Sequence, residues 1–364
     1  MADQNQGGMP GMPGMMPGQM GMGQMGMGMG NPMMGGNPMM QMMQMMQMMM
    51  GNQMGAPVMD PSAMPFANPM ANLQQDGDSG LDADIIRPAT FTDLVRTQQA
   101  VPTGSVLDRL VLTEDSTAAL GGVPKGCTMA FVGPPGKGKT RTALSLLARS
   151  AAAGMKVAFV VAEEGFHNAE GSGRDDLCSR MVKIGMAATG LDLEAFKTQV
   201  LERTYVLESQ YHKGQTWDDF ISKYRYLVEK AQIDLVVIDS LNMLDPTKNR
   251  TADNLSALKT YNHEQGITCL CIGQIKDTGL PVGGEALMHT ADAVFLIEEM
   301  SLGSKEIAAQ WGGNYRDKID VIRAVKSVTT PTYPNQVRIQ QAEGTGALEI
   351  HPGQPAEFMP PEAR

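Results

Sequence analysis

The sequence predicts an α/β domain, with a mainly parallel central sheet and helices on both faces. Three observations predict it. Short apolar runs recur between residues 128 and 299, separated by stretches with helical spacing. Carboxylates and one amide stand directly after those runs, at the carboxyl strand ends where such sheets gather their binding sites. A glycine-rich phosphate-binding pattern falls between an apolar run and a helical one, the context it needs.

Residues 1–80 come first and stand apart. Of 33 methionines in the 364-residue chain, 25 lie in the first 70 residues among Gly, Pro, Gln and Asn, and no Lys or Arg precedes Arg87. Such a low-complexity segment cannot bury enough varied apolar surface to offset chain entropy, so it reads as a disordered, weakly self-associating tail. Two other uses of its methionines stay open: an adaptable surface for a protein partner, and soft thioether ligands for Cu(I). Without cations the tail has no grip on phosphates.

The remaining chain suffices for one large α/β domain. A formal charge of −10 argues against coating nucleic acid by bulk electrostatics, though a local binding loop stays compatible with it. Cys127, Cys178, Cys269 and Cys271 fit no zinc knuckle or disulfide framework, and read as small apolar residues in a reducing compartment. With neither a signal start nor a long apolar run, the expectation is a soluble, cytoplasmic protein that meets no membrane.

The run Met129–Val132 leads into Gly133, Pro134, Pro135, Gly136, Lys137, Gly138, Lys139, Thr140 and Arg141, then an Ala/Leu-rich helix ending at Gly154. This is a P-loop, and it predicts ATP and Mg²⁺. Glycines let backbone N–H groups curl round phosphates, and the helix N-terminus adds positive potential. Lys139 reaches the β/γ-phosphates and the Thr140 hydroxyl holds Mg²⁺. The next run, 156–162, ends in Glu163 and Glu164. Either carboxylate could activate the attacking water, with Glu163 preferred. Helical patterns fill 174–202, a short strand is read at 205–209, and 216–231 is an amphipathic helix whose Trp217, Phe220, Ile221, Tyr224, Leu227 and Val228 face the core. The run 233–238 delivers Asp239 in the Walker B manner, beside the metal. Helix 254–266 precedes the strand ending at Gln274, another strand covers 291–299, and 317–328 with 336–344 make a C-terminal antiparallel hairpin. Residues 351–364, rich in proline, read as a flexible end.

Several blocks together resemble RecA-type ATPases, most of all the core of the RadA/Sms DNA repair proteins. They are "FTDL…VPTGSVLDRLV", "GGVPKG", the P-loop, "AEEG", "DLVVIDS" and "IGQIKDTG…GGEALMHTADAVFLIE", spread from about Arg87 to Ile350. KaiC clock ATPases and replicative hexameric helicases are similar through fewer of these blocks. The resemblance makes 81–350 a RecA-like ATPase domain that assembles as a ring or filament on single-stranded DNA. It implies that Gln274 senses the γ-phosphate and leads into a DNA-contacting loop at 275–286. Lys276 would then meet a DNA phosphate, with Lys248 and Arg250 on a companion loop at 245–253. The plain alternative for these three is solvated surface charge. Asp245, Asp253, Asp277 and Glu285 offset their cations. The family's Lys-Asn-Arg-Phe-Gly motif falls on 326–330 and keeps only Lys326, a candidate to reach a neighbour's γ-phosphate. The Met/Gly tail stands where that family carries a four-cysteine zinc finger, and the family's C-terminal protease-like domain is read as lacking.

Overall fold

The computed structural model describes residues 97–167, 175–210, 214–244, 251–275 and 290–363. The methionine-rich segment 1–80 lies outside them.

Eleven strands occur among the described residues. They are β1 (Ala100–Val101), β2 (Val123–Pro124), β3 (Thr128–Gly133), β4 (Val157–Val161), β5 (Thr204–Glu208), β6 (Leu235–Asp239), β7 (Thr268–Gln274), β8 (Ala293–Ser301), β9 (Lys318–Ser327), β10 (Val337–Gln341) and β11 (Leu348–Ile350). The helices are α1 (Leu107–Leu110), α2 (Lys139–Ala152), α3 (Leu177–Thr189), α4 (Leu193–Gln199), α5 (Trp217–Ala231), α6 (Thr251–Gln265) and α7 (Lys305–Gln310). β1 and β2 pair apart; the other nine strands form one sheet in the order β11-β10-β9-β8-β3-β7-β6-β4-β5. From β8 to β5 all neighbours are parallel, and β9, β10 and β11 extend that sheet antiparallel. The predicted parallel sheet and C-terminal hairpin are therefore present, the hairpin with one strand more than expected.

The strands read as unbroken apolar runs because both faces are covered. Side chains alternate between two cores with the pleat. Met129, Phe131, Phe159, Val237 and Leu270 pack with α2 and α3 on one face. Ala130, Val160, Val236, Cys269 and Cys271 pack with α5 and α6 on the other. The two cysteines thus act as small apolar residues. Helix α5 begins with a reciprocal capping box between Thr216 and Asp219, and buries Phe220, Tyr224 and Val228. Trp217, Ile221 and Leu227 are only partly buried.

Helix α3 crosses α2 where a glycine removes a side chain. A Cβ at Gly185 would stand 2.4 Å from Phe196 Cζ and 3.1 Å from the Ala148 Cβ. The Gly185→Ala substitution should destabilise the protein by about 1–2 kcal/mol, since overpacking outweighs the ~1 kcal/mol gain in helix propensity. A denaturant midpoint at or above that of the unsubstituted protein would refute this.

The C-terminal end departs from expectation. The guanidinium of Arg109 donates to the carbonyls of Pro361 (2.6 Å) and Pro360, and Ala119 bridges to Ala363. Trp311 stacks on Phe358 at 5.8 Å, and buried Gln354 accepts from the Arg338 N–H. Prolines that cannot donate still offer carbonyls, and Arg109 collects them from some 250 residues away. Residues 351–363 are therefore tied to the domain and do not form a loose terminus.

Candidate nucleotide-hydrolysis site

Strand order decides what meets at the carboxyl edge. β3, β7, β6 and β4 are successive neighbours, with Gly133 level with Gln274 and Val161 level with Asp239. The phosphate loop, Glu163, Asp239 and Gln274 therefore arrive at one edge. A cavity of about 350 Å³ lies among Thr140, Val161, Glu163, Glu164, Leu177 and Asp239.

Gly136 (φ +75°) and Gly138 (φ +89°) take the left-handed backbone that winds the loop. Gly138 caps α2, whose first turn has no side-chain cap and no acidic residue. Its free N–H groups and positive dipole end suit an anion. Buried Lys139 donates to the carbonyls of Gly133 (2.9 Å) and Pro134 (2.6 Å). Burial pulls the Lys139 ammonium below its ordinary pKa, and Asp239 and Glu163 oppose that pull. A phosphate would share the three donors of this ammonium with the two carbonyls.

The Thr140 hydroxyl donates to Asp239 Oδ2 at 2.6 Å. Burial pushes the Asp239 carboxyl from 3.8 up to about 6; the Thr140 hydrogen bond resists and the nearby Glu163 adds to the rise. A carboxylate so enclosed asks for a cation. Glu163 is exposed, and Oε1 accepts from Gln274 Nε2 at 2.9 Å. Glu164 is engaged otherwise, in an ion pair with Arg180 at 2.5 Å. Two carboxylates adjacent in sequence thus have different partners.

A family model described as "ATPase: KaiC" matches residues 101–323, more than half of the chain. The chain belongs to the KaiC ATPase family. It is also 27% identical over 215 residues to the DNA repair and recombination protein RadB of Methanosphaera stadtmanae, covering 55% of this chain and 81% of RadB. The RecA protein of Frankia casuarinae is 30% identical over 148 residues, which are 41% of this chain and 33% of that protein. Among solved structures, a KaiC-like protein of Pyrococcus horikoshii aligns with a TM-score of 0.49 at 18% identity, over 71% of this chain and all of that one. As a member of the KaiC family with RadB and RecA as relatives, the chain is an ATP-hydrolysing P-loop enzyme of RecA-like fold.

Not every expected residue joins this candidate site. Lys137 turns away from the loop to Asp320 (2.7 Å) and Glu299 (3.9 Å). Exposed Arg141 lies against Gly346, where a Cβ would come 2.5 Å from its Cδ. Lys326 pairs with Val294, itself level with Ala130, so it sits about 10 Å down the sheet from Gly133. Its neighbours there are Lys259 and buried Asp292, themselves joined at 2.7 Å. Lys248, Arg250 and Lys276 lie outside the described residues. Arg180 carries no local signal in the sequence, because its partner Glu164 is 16 residues away across the segment 168–174. Among the described residues no helix is long and apolar enough to cross a membrane.

Proposed function

We propose that this ATPase works as an oligomer on single-stranded DNA, in recombination or repair. The observation that carries the reading is the hydrogen bond from Gln274 to Glu163. It joins a carboxylate beside the phosphate loop to the last residue of β7, from which the chain continues through Ile275 to Lys276. A change of phosphate state felt at Gln274 then has a covalent route to a candidate DNA-contacting segment. The RadB relative, a DNA repair and recombination protein by name, supports the same target.

In this reading Lys139 and the α2 N-terminus hold the phosphates. Thr140 and Asp239 fit Mg²⁺, since a hydroxyl and a buried carboxylate 2.6 Å apart are the hard oxygen donors it takes. They would hold the ion, which supplies charge neutralisation at the transferring phosphoryl group. Glu163 takes a proton from water as that oxygen attacks the γ-phosphorus and the bond to the β–γ bridging oxygen breaks. Lys326, remote from its own loop, would serve a neighbouring copy.

Steady-state ATP hydrolysis with and without single-stranded DNA tests the target, with Lys139→Ala as the dead control. DNA should stimulate turnover, and Lys276→Ala should lose that stimulation while keeping basal hydrolysis. The stimulation should also fall steeply with salt, as phosphate contacts do. A second reading, a regulatory ATPase acting on a protein through residues 1–80, is favoured by the net charge of −10 and by the KaiC match. It gains if turnover ignores DNA in every variant and deletion of 1–80 abolishes partner capture with hydrolysis intact.

A further inference from the structure

The antiparallel strands β9–β11 lie beside the parallel sheet and contribute no residue to the hydrolysis cavity described above. They nevertheless hold the phosphate loop at three points. From β9, Asp320 pairs with Lys137 at 2.7 Å. At the end of β10, Gln341 Nε2 donates to the Gly136 carbonyl at 3.1 Å. From β11, the Leu348 N–H donates to Thr142 Oγ1 at 2.9 Å, and that hydroxyl donates to the Gly138 carbonyl at 3.0 Å.

The fit between loop and turn is close. A Cβ at Gly138 would stand 3.0 Å from the Gly346 carbonyl oxygen and 3.3 Å from Gln341 Cγ. Gly346 itself has φ +67° and faces Arg141. The turn is closed by the Ala342 N–H to the Ala347 carbonyl at 2.7 Å and the Gly346 N–H to the Ala342 carbonyl at 2.8 Å. A turn so constrained presents Gln341 from a fixed place.

What this achieves follows from the peptide group. In a planar trans peptide the C=O and the following N–H point in opposite directions. A carbonyl caught on the outer side of the loop therefore aims the next N–H to the inner side. Gln341 does this for the Gly136–Lys137 peptide; for Gly138–Lys139 the helix's own Thr142 N–H (2.9 Å) does it together with the Thr142 hydroxyl that Leu348 backs. Both N–H groups belong to the stretch that cradles phosphate, and fixing them beforehand removes an ordering cost from binding.

We infer that Gln341 is a positioning residue for nucleotide binding, acting through the Gly136 carbonyl, and that the β9–β11 extension is a strap that pre-forms the phosphate loop. The inference rests on residues 133–140 being the nucleotide site. On that footing Lys137 is a strap residue, not a phosphate ligand.

The full-length chain with a fluorescent ATP analogue and Mg²⁺ tests this. Gln341→Met keeps the length and loses the donor, and Gln341→Lys restores a donor. Gln341→Met should weaken the analogue and raise KM for ATP about fivefold, the effect of one hydrogen bond, with kcat within about twofold. Gln341→Lys should recover affinity, and the recovery should persist at raised salt, where its added charge is screened. Thermal melts of both should match the unsubstituted protein. Unchanged affinity in Gln341→Met, or equal losses in Met and Lys variants, would overturn the inference. Lys139→Ala separates the two levels. If it leaves affinity intact, the assignment of the loop itself fails; if it abolishes binding while the Gln341 series is silent, only the strap fails.

Discussion

Glu163→Gln should lower kcat for ATP hydrolysis by about 10²–10³-fold while leaving ATP affinity nearly unchanged, the size expected for loss of a general base. The substitution is nearly isosteric, and the new amide oxygen can still accept from Gln274 Nε2, which lies 2.9 Å from Glu163 Oε1. What it removes is basicity on an exposed carboxyl next to the cavity bordered by Thr140 and Asp239. The matched control is Glu164→Gln. Glu164 already serves Arg180 at 2.5 Å, and a carboxylate oxygen engaged by a guanidinium is not placed to meet an attacking water. Its loss should cost less than about tenfold, through a shifted Arg180 and not through the proton itself. Single-turnover hydrolysis measured beside equilibrium binding decides the matter. Should Glu164→Gln prove the more damaging of the two, the roles assigned here exchange.

How much of this was legible in the sequence depends on how far apart the cooperating residues lie. The phosphate loop is a local device: Gly133 to Thr140 carry their own turn chemistry, and the flanking strand and helix follow within a few residues. The strand-end place of Asp239 was legible too, because four apolar residues run straight into a carboxylate, a pattern no solvated turn requires. Cys269 and Cys271 showed as apolar by alternation with Leu270 and Ile272, and they are buried on one face. Parallel pairing itself was legible only as a class. That β3 sits between β8 and β7, bringing Gln274 level with Gly133, is a fact of strand order that periodicity does not encode.

The unread contacts are those between distant segments. Gln341 lies 205 residues from Gly136, and Asp320 lies 183 from Lys137. A lysine inside a phosphate-binding motif invites a phosphate role, and nothing nearby in sequence shows that a strand far downstream will claim it. The proline-rich end fails as a composition argument for the same reason. Arg109 supplies the donors that its carbonyls need, and composition says nothing about such a partner.

Asp239→Asn should act in two opposite directions. Turnover should fall by at least about 10²-fold, because a carboxylate that would help hold Mg²⁺ at a phosphoryl-transfer site is replaced by a neutral amide. In metal-free buffer at pH 8, however, the folded protein should become more stable. Burial raises the Asp239 carboxyl from 3.8 to about 6, so above pH 6 the folded state carries a charge it disfavours. That shift corresponds to at most about 3 kcal/mol, and with relaxation and an imperfectly paired amide the expected gain is about 1–2 kcal/mol. The Thr140 hydroxyl can still donate to the amide oxygen. The sign with pH follows from proton binding. Between 3.8 and 6 the folded wild type holds more protons than the unfolded chain, so its stability rises, from this group, as pH falls through 6. The advantage of Asp239→Asn should therefore shrink from pH 8 toward pH 4.5. With ATP and Mg²⁺ present the order should invert, since only the carboxylate form gains the full binding energy of the loaded site. Denaturant titrations of both proteins, with chelator at the two pH values and then with ATP and Mg²⁺, give all three comparisons. A metal-free Asp239→Asn protein less stable than wild type at pH 8 would mean that Lys139 and Thr140 already satisfy the buried charge. The site would then be a settled ion-pair network and not one held in wait for a cation.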